Sequence, residues 1–219
     1  VSSQFSGGLC DQYVFNTGAD PTQQMNPLIP YMIENFGSDV YIVAADYNFG
    51  RNSAARAETY VDREDGTIVG EEFIPLSVSD FTSTINNISS ADPDWIMHLL
   101  VGDNHVNFFK QIEATGSEAP IGSTLALAEA YEHKSLEPPV MSDVYSCMAY
   151  FQEVPSDRNR EFVRQMQANE DVQYVNQTSN FHYQAYQYYF EAVEAAGTTD
   201  QQAVCEALET GDITVQAPE

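Results

Sequence analysis

Between Val40 and Tyr150 the chain repeats one pattern: a short apolar run, a polar turn, then a segment with apolar residues at helical spacing. The first and clearest copy is Tyr41-Ile42-Val43-Ala44-Ala45, which runs through Asp46-Tyr47-Asn48-Phe49-Gly50 into the helix-favouring Ser53-Ala54-Ala55-Arg56-Ala57-Glu58. Continuous apolarity without alternation marks a strand buried on both faces. Further strands are predicted at 67–74, after the Asp65-Gly66 turn, at 95–101, at 120–125 and at 143–150. The helices between them are predicted near 52–64, from Asp80 to about Ser89, and from Val106 to Ala114. Strands separated by helices of about 10–15 residues imply right-handed βαβ crossovers, so the fold class is α/β with a mainly parallel sheet flanked by helices. In such sheets ligands bind outside the carboxyl ends of the strands. Tyr47 and Phe49 therefore stand where an apolar wall against a small solute would form, or where a strand–helix corner would be packed.

The flanks read differently. Residues 1–12 read as a loop, and Tyr13 to Gly18 as a short strand ending in a polar turn. A helix follows from Pro21 to about Asn35, with Met25, Leu28, Ile29, Met32 and Ile33 on one face and Gly37 as its stop. Beyond Tyr150 three helices are expected, at 156–168, 179–196 and 200–208. Phe181, Tyr186, Tyr189 and Phe190 are expected to form a core face of the middle one.

Asp and Glu number 33 against 8 Lys and Arg, a net charge of −25 over 219 residues. That field repels phosphate, which argues against nucleic acid or an anionic membrane as partner. Disorder is excluded by 43% hydrophobic content held in periodic segments. Only Lys110 and Lys134 are lysines. An acidic surface poor in lysine suits concentrated salt, where repulsion is screened within about 3 Å at 1 M, so a halophilic source is expected. Cys10, Cys147 and Cys205 form no CxxC and point to neither a disulfide framework nor a thiolate metal site, while a single bridge between one pair stays open. No apolar run approaches the roughly 20 residues needed to span a bilayer, and residues 1–10 lack the form of a signal peptide.

Signatures of catalysis are missing. The chain has no GxSxG, HExxH, Walker A or GxGxxG pattern. His98, His105 and Asp103 bracket one strand end, but without a second ligand pair at metal spacing the histidines read as surface or core histidines. Glu71-Glu72 and Glu64-Asp65 are adjacent in sequence only, so their side chains diverge. Asn87-Ile88-Ser89 and Asn176-Gln177-Thr178 fit the glycosylation sequon. What remains is a set of polar and aromatic residues at strand ends: Asn16-Thr17-Gly18, Asp46 to Phe49, Gly102-Asp103-Asn104 and Ser123-Thr124. Such a set suits recognition better than reaction.

Four stretches in order carry a family resemblance: Thr17 to Gln24, Asp46 to Arg51, Gly70 to Leu76 with Asp80-Phe81, and Gly102-Asp103-Asn104 with Phe108 to Gln111. The chain resembles the type I periplasmic-binding-protein family, in particular the ABC-transporter receptors for urea and short-chain amides or branched-chain amino acids. The resemblance implies two α/β lobes joined by a hinge, with 1–36 and 151–206 in the first lobe and 37–150 and 207–219 in the second. It implies a non-enzymatic receptor without a cofactor, lying outside the cytoplasm, that closes on a small polar solute and presents itself to membrane transporter subunits. The implied ligand-binding residues are Asn16, Thr17, Ala19, Tyr47, Phe49, Gly102, Asp103 and Ser123. In the family about four further βα units come first, so the resemblance implies a fragment with an incomplete first lobe. Ser123-Thr124-Leu125 stands where amino-acid receptors carry an acidic ligand residue, which favours a neutral amide, although Glu129 lies close by. The alternatives are a regulatory amide or amino-acid sensor of the same fold, an acidic hydrolase, and a homodimer formed through an uncovered apolar surface.

Overall fold

The computed structural model describes residues 11–125, 136–170 and 172–218, and these form two compact units: 19–148, and 11–18 with 149–218.

The larger unit opens with α1 (Pro21–Phe36) and continues β1 (Asp39–Ala45), α2 (Asn48–Arg63), β2 (Thr67–Ile74), α3 (Thr82–Ala91), β3 (Trp95–Leu99), α4 (Asp103–Ala114), β4 (Ile121–Ser123) and β5 (Val144–Ser146). The strands form one parallel sheet in the order β2-β1-β3-β4-β5. The α/β fold with a parallel sheet expected from the alternation is thus the observed one. Successive residues of β1 face opposite ways. Val40, Ile42 and Ala44 join Trp95, Met97 and Leu99 of β3 against α1 and α2. Tyr41 and Val43 join Ile96 against α3 and α4, through Phe81, Ile85, Phe108, Phe109 and Ile112. Both faces are therefore covered, which is why the central strands carry no polar alternation.

Two local signals set the ends of α1. Asp20 and Gln23 make a reciprocal capping box, with the Thr22 N–H donating to Asp20 Oδ1 at 2.7 Å and the Asp20 N–H to Gln23 Oε1 at 2.9 Å. Gly37 ends the helix, its N–H donating to the Ile33 carbonyl at 3.1 Å. On α3 and β2 the Glu72 carboxylate accepts from Tyr41 Oη (2.8 Å), Thr84 Oγ1 (2.7 Å) and Asn87 Nδ2 (2.7 Å). Burial favours the neutral acid, but the three donors outweigh it and hold Glu72 below the ordinary carboxylate range. The first sequon asparagine, Asn87, is exposed on α3 with its amide on Glu72, and the second, Asn176, caps a helix by accepting the Ser179 N–H.

The smaller unit holds α5 (Asp157–Glu170), α6 (Gln177–Ala196) and α7 (Gln201–Glu209). Its small core joins Tyr150, Phe162 and Val175, with Val163, Met166 and Tyr183 against it. Two expectations fail here. The Tyr13–Gly18 segment forms no strand ladder among the described residues, and Tyr13, Val14 and Phe15 are exposed. Tyr186, Tyr189 and Phe190 form no core face: they are 63%, 45% and 60% exposed, because the buried side of α6 runs through Gln177, Asn180 and Ala192 instead.

Helix α1 buries Met25, Leu28, Ile29 and Met32 in the sheet core, so the break falls after Gly18. The tail stays with the smaller unit, where Ser156 Oγ donates to the Pro218 carbonyl at 3.1 Å. Cys147 and Cys205 are free thiols, and Cys10 lies outside the described residues. No helix among the described residues is long and apolar enough to cross a membrane.

Candidate functional site

The chain steps from β1 outward to β2, then back across β1 to β3. The strand order therefore reverses between β1 and β3, and in open parallel sheets ligands bind outside the carboxyl ends at such a reversal.

Leaving β1, the chain turns at once. The Asp46 N–H donates to the Ile74 carbonyl of β2 (2.8 Å), and the Tyr47 N–H donates back to the Ala45 carbonyl (2.9 Å). Gly50 then brings the first turn of α2 directly onto the strand end: a Cβ there would lie 1.9 Å from the Ala45 carbonyl oxygen. Only glycine permits that approach. The result is a two-ring wall, with Tyr47 40% exposed and its ring centroid 6.0 Å from that of half-buried Phe49.

Leaving β3, Gly102 takes φ 58° and ψ −140° immediately before α4. A Cβ would meet nothing within 4 Å, so it is the left-handed φ rather than crowding that calls for glycine. Asp103 follows in the first turn of α4, exposed, where an acidic residue is favoured by the unpaired N–H groups of the helix start. Asn104 turns inward and donates to the carbonyls of Pro75 (3.2 Å) and Val78 (2.9 Å), fastening this turn to the loop after β2.

Ser123, at the end of β4, is fully buried rather than presented at the edge. Its Oγ lies 3.2 Å from His98 Nδ1 and accepts the Leu125 N–H at 3.0 Å. His98 stacks on Phe109 (4.7 Å, 25°) and meets His105 edge-on at 4.7 Å. Complete burial, with the second imidazole adding to it, pushes His98 well below the ordinary histidine range, so it is neutral. The described residues contain no group of three or more His, Cys, Asp or Glu side chains able to hold a metal ion.

Ala19 is buried just ahead of the α1 cap. It lies on the same edge, because α1 leads into the start of β1 and Gln24 Nε2 donates to the carbonyls of Thr124 (3.0 Å) and Cys147 (2.9 Å), at the exits of β4 and β5. Gln24 is a residue that sequence reasoning passed over, and the signal was a polar side chain on the apolar face of an amphipathic helix. Asn16 and Thr17 belong to the smaller unit, and both side chains are engaged within it. The Asn16 amide closes on Gly18, donating to its carbonyl (3.0 Å) and accepting its N–H (2.9 Å), while Thr17 Oγ1 donates to the Phe181 carbonyl (3.0 Å). Ala19, Tyr47, Phe49, Gly102, Asp103 and Ser123 are thus brought to one sheet edge, with Ser123 beneath its surface. Glu129 lies outside the described residues.

The opposite, amino edge has a hollow of its own, lined by Ser89, Asp92, Asp94, Thr115 and Glu118 among others. Two of its acidic residues serve the turns there: Asp92 ends α3 in the left-handed conformation, and Asp94 Oδ2 accepts the Asp39 N–H at 2.8 Å.

A family model described as periplasmic binding protein matches residues 1–218. The chain belongs to the periplasmic binding protein family. Solved members of similar structure include a solute-binding protein of an ABC transporter from R. palustris in complex with benzoate (TM-score 0.87, 18% identity, covering 98% of this chain and 59% of that one). A branched-chain amino-acid ABC transporter periplasmic ligand-binding protein from Burkholderia xenovorans LB400 matches with TM-score 0.79 and 20% identity, over 98% of this chain and 57% of that one. A leucine-, isoleucine-, valine-, threonine- and alanine-binding protein from Brucella ovis, in its closed conformation, matches with TM-score 0.83 and 13% identity, over 98% and 56%. At these identities the likeness shows the fold, which is that of the type I periplasmic binding proteins expected from the four sequence stretches. The chain spans less than three fifths of the length of each of these three relatives.

Proposed function

We propose that this chain is a solute-binding receptor of an ABC transporter, working outside the cytoplasm and holding a small polar solute at the carboxyl edge of its sheet. The observation that carries the reading is the pairing of the Tyr47–Phe49 wall with the Gly102-Asp103 turn on either side of the point where strand order reverses. The rings exclude water, while the first turns of α2 and α4 offer backbone N–H groups to a carbonyl or carboxylate oxygen. Asp103 accepts from an amide or ammonium N–H. This set fits urea, a short-chain amide or a branched-chain amino acid. The benzoate and branched-chain amino-acid binders among the structural relatives support a small organic solute and membrane transporter subunits as partners.

Isothermal titration of the 219-residue chain with urea, acetamide, leucine, valine and benzoate tests the reading. The expected result is saturable heat with one chemical class, weakened at least tenfold (about 1.4 kcal/mol) in Tyr47→Ala. Absence of both heat and thermal shift with all five overturns it.

A further inference from the structure

The aromatic turn carries a cation that its packing does not require. Arg51, in the first turns of α2, directs both Nε (2.9 Å) and Nη2 (2.6 Å) at Asp46 Oδ1, and its guanidinium carbon lies 4.3 Å from the centre of the Phe73 ring on β2. Its side chain is 55% exposed and that of Asp46 35%, so the pair contributes little to stability as a surface ion pair. What it does instead follows from where its ends are fixed. Asp46 is tied to β2 by its N–H on the Ile74 carbonyl, and Arg51 is tied to β2 by its face on Phe73. The segment between those two anchors is Tyr47-Asn48-Phe49-Gly50, which holds both rings of the proposed wall. With Gly50 pressed on the strand end from below, the segment is fixed at both ends and along its inner side.

We propose that Arg51 is the positioning residue of this site: it clamps the Asp46–Phe49 turn against β2 and sets the orientation in which Tyr47 and Phe49 receive a solute, without touching the solute itself. The inference rests on the recognition reading of the carboxyl edge given above. A guanidinium is required because one planar group must bring two N–H donors together on one carboxylate oxygen while its face lies on a ring, which an ammonium does not do. The surroundings agree: burial and the neighbouring Glu58 carboxyl push Glu71 above the ordinary carboxylate range, and the Arg51 charge beside it works against that rise. Of the eight cations in a chain of net charge −25, this one is spent on a turn.

Arg51→Met, Arg51→Lys, Asp46→Asn and Tyr47→Ala are compared with the parent by titration with acetamide and with leucine, and by amide hydrogen exchange. Freeing one or two ordered side chains weakens binding roughly five- to thirtyfold. That loss is expected in Arg51→Met, Arg51→Lys and Asp46→Asn alike, and for the neutral and the charged solute alike. Rescue by Arg51→Lys means that a positive charge alone suffices and overturns the guanidinium clamp, while a loss confined to leucine means that Arg51 meets the solute's carboxylate directly and overturns the positioning role. If Tyr47→Ala weakens binding and Arg51→Met does not, the clamp falls and the site stands; if Tyr47→Ala has no effect, the site itself falls. Exchange needs no solute: Arg51→Met is expected to speed amide exchange at residues 46–51 with the rest of the sheet unit unchanged. Unchanged exchange there overturns the inference whether or not either solute binds.

Discussion

Replacing Gly50 by alanine sets two physical effects against each other with opposite signs. Gly50 lies within α2 and is not among the glycines of positive φ, so helix propensity by itself makes alanine the more stable residue by up to about 1 kcal/mol. The tertiary environment says otherwise. The added carbon would stand 1.9 Å from the Ala45 carbonyl oxygen, 2.8 Å from its carbon and 2.9 Å from its nitrogen, where ordinary contact begins at 3.4 Å. All three obstacles are backbone, so no rotamer change relieves them. The start of α2 must retreat from β1 by roughly 1.5 Å, the shortfall against the carbonyl oxygen. Overpacking of this kind costs about 1–3 kcal/mol, sometimes more, which exceeds the propensity gain. Since about 1 kcal/mol corresponds to roughly 2–4 °C for a chain of this size, Gly50→Ala is expected to melt several degrees lower. Circular dichroism at 222 nm on heating measures this, and the near-ultraviolet band of the aromatic rings should change as Tyr47 and Phe49 are carried outward. A variant as stable as the parent, or more stable, refutes the close approach and with it the geometry of the wall.

Glu72→Gln replaces an acceptor of three hydrogen bonds by an amide that can accept through one oxygen only, and is expected to cost about 1–3 kcal/mol at pH 7. Because Glu72 is held below its unfolded range, its stabilisation is present above about pH 4.5 and is lost as pH falls through the folded value; the gap between parent and variant in denaturant titrations should narrow there. His98 acts in a higher window. Its folded value lies well below 6.5, so the unfolded chain takes up the proton first, and stability should decline as pH drops below about 6.5, by up to about 1.4 kcal/mol per unit. His98→Leu should flatten that part of the profile, and a slope unchanged from pH 6.5 to 5 would contradict the buried neutral imidazole. With a net charge of −25, melting temperature should rise from dilute buffer to 1 M KCl, and equal stability in both removes the halophilic expectation.

The sequence alone determined the alternation of strand and helix and most element boundaries, because residue spacing reports directly on which side of an element is buried. β2 at 67–74 and the end of α1 near Gly37 follow from periods and stop signals a few residues long. It also marked Tyr47, Phe49, Gly102 and Asp103, since strand ends are visible locally and a parallel sheet brings all its carboxyl ends to one edge. Only the tertiary structure decided the order β2-β1-β3-β4-β5, and hence which two turns flank the reversal of strand order. It also decided that Ser123 faces His98, that Gln24 spans two strand exits, and that Tyr186 and Phe190 face outward. The physical reason is one of range: periodicity is written between neighbours, whereas the partner of a buried polar group, and the cover over an aromatic face, are chosen by chain segments tens of residues away.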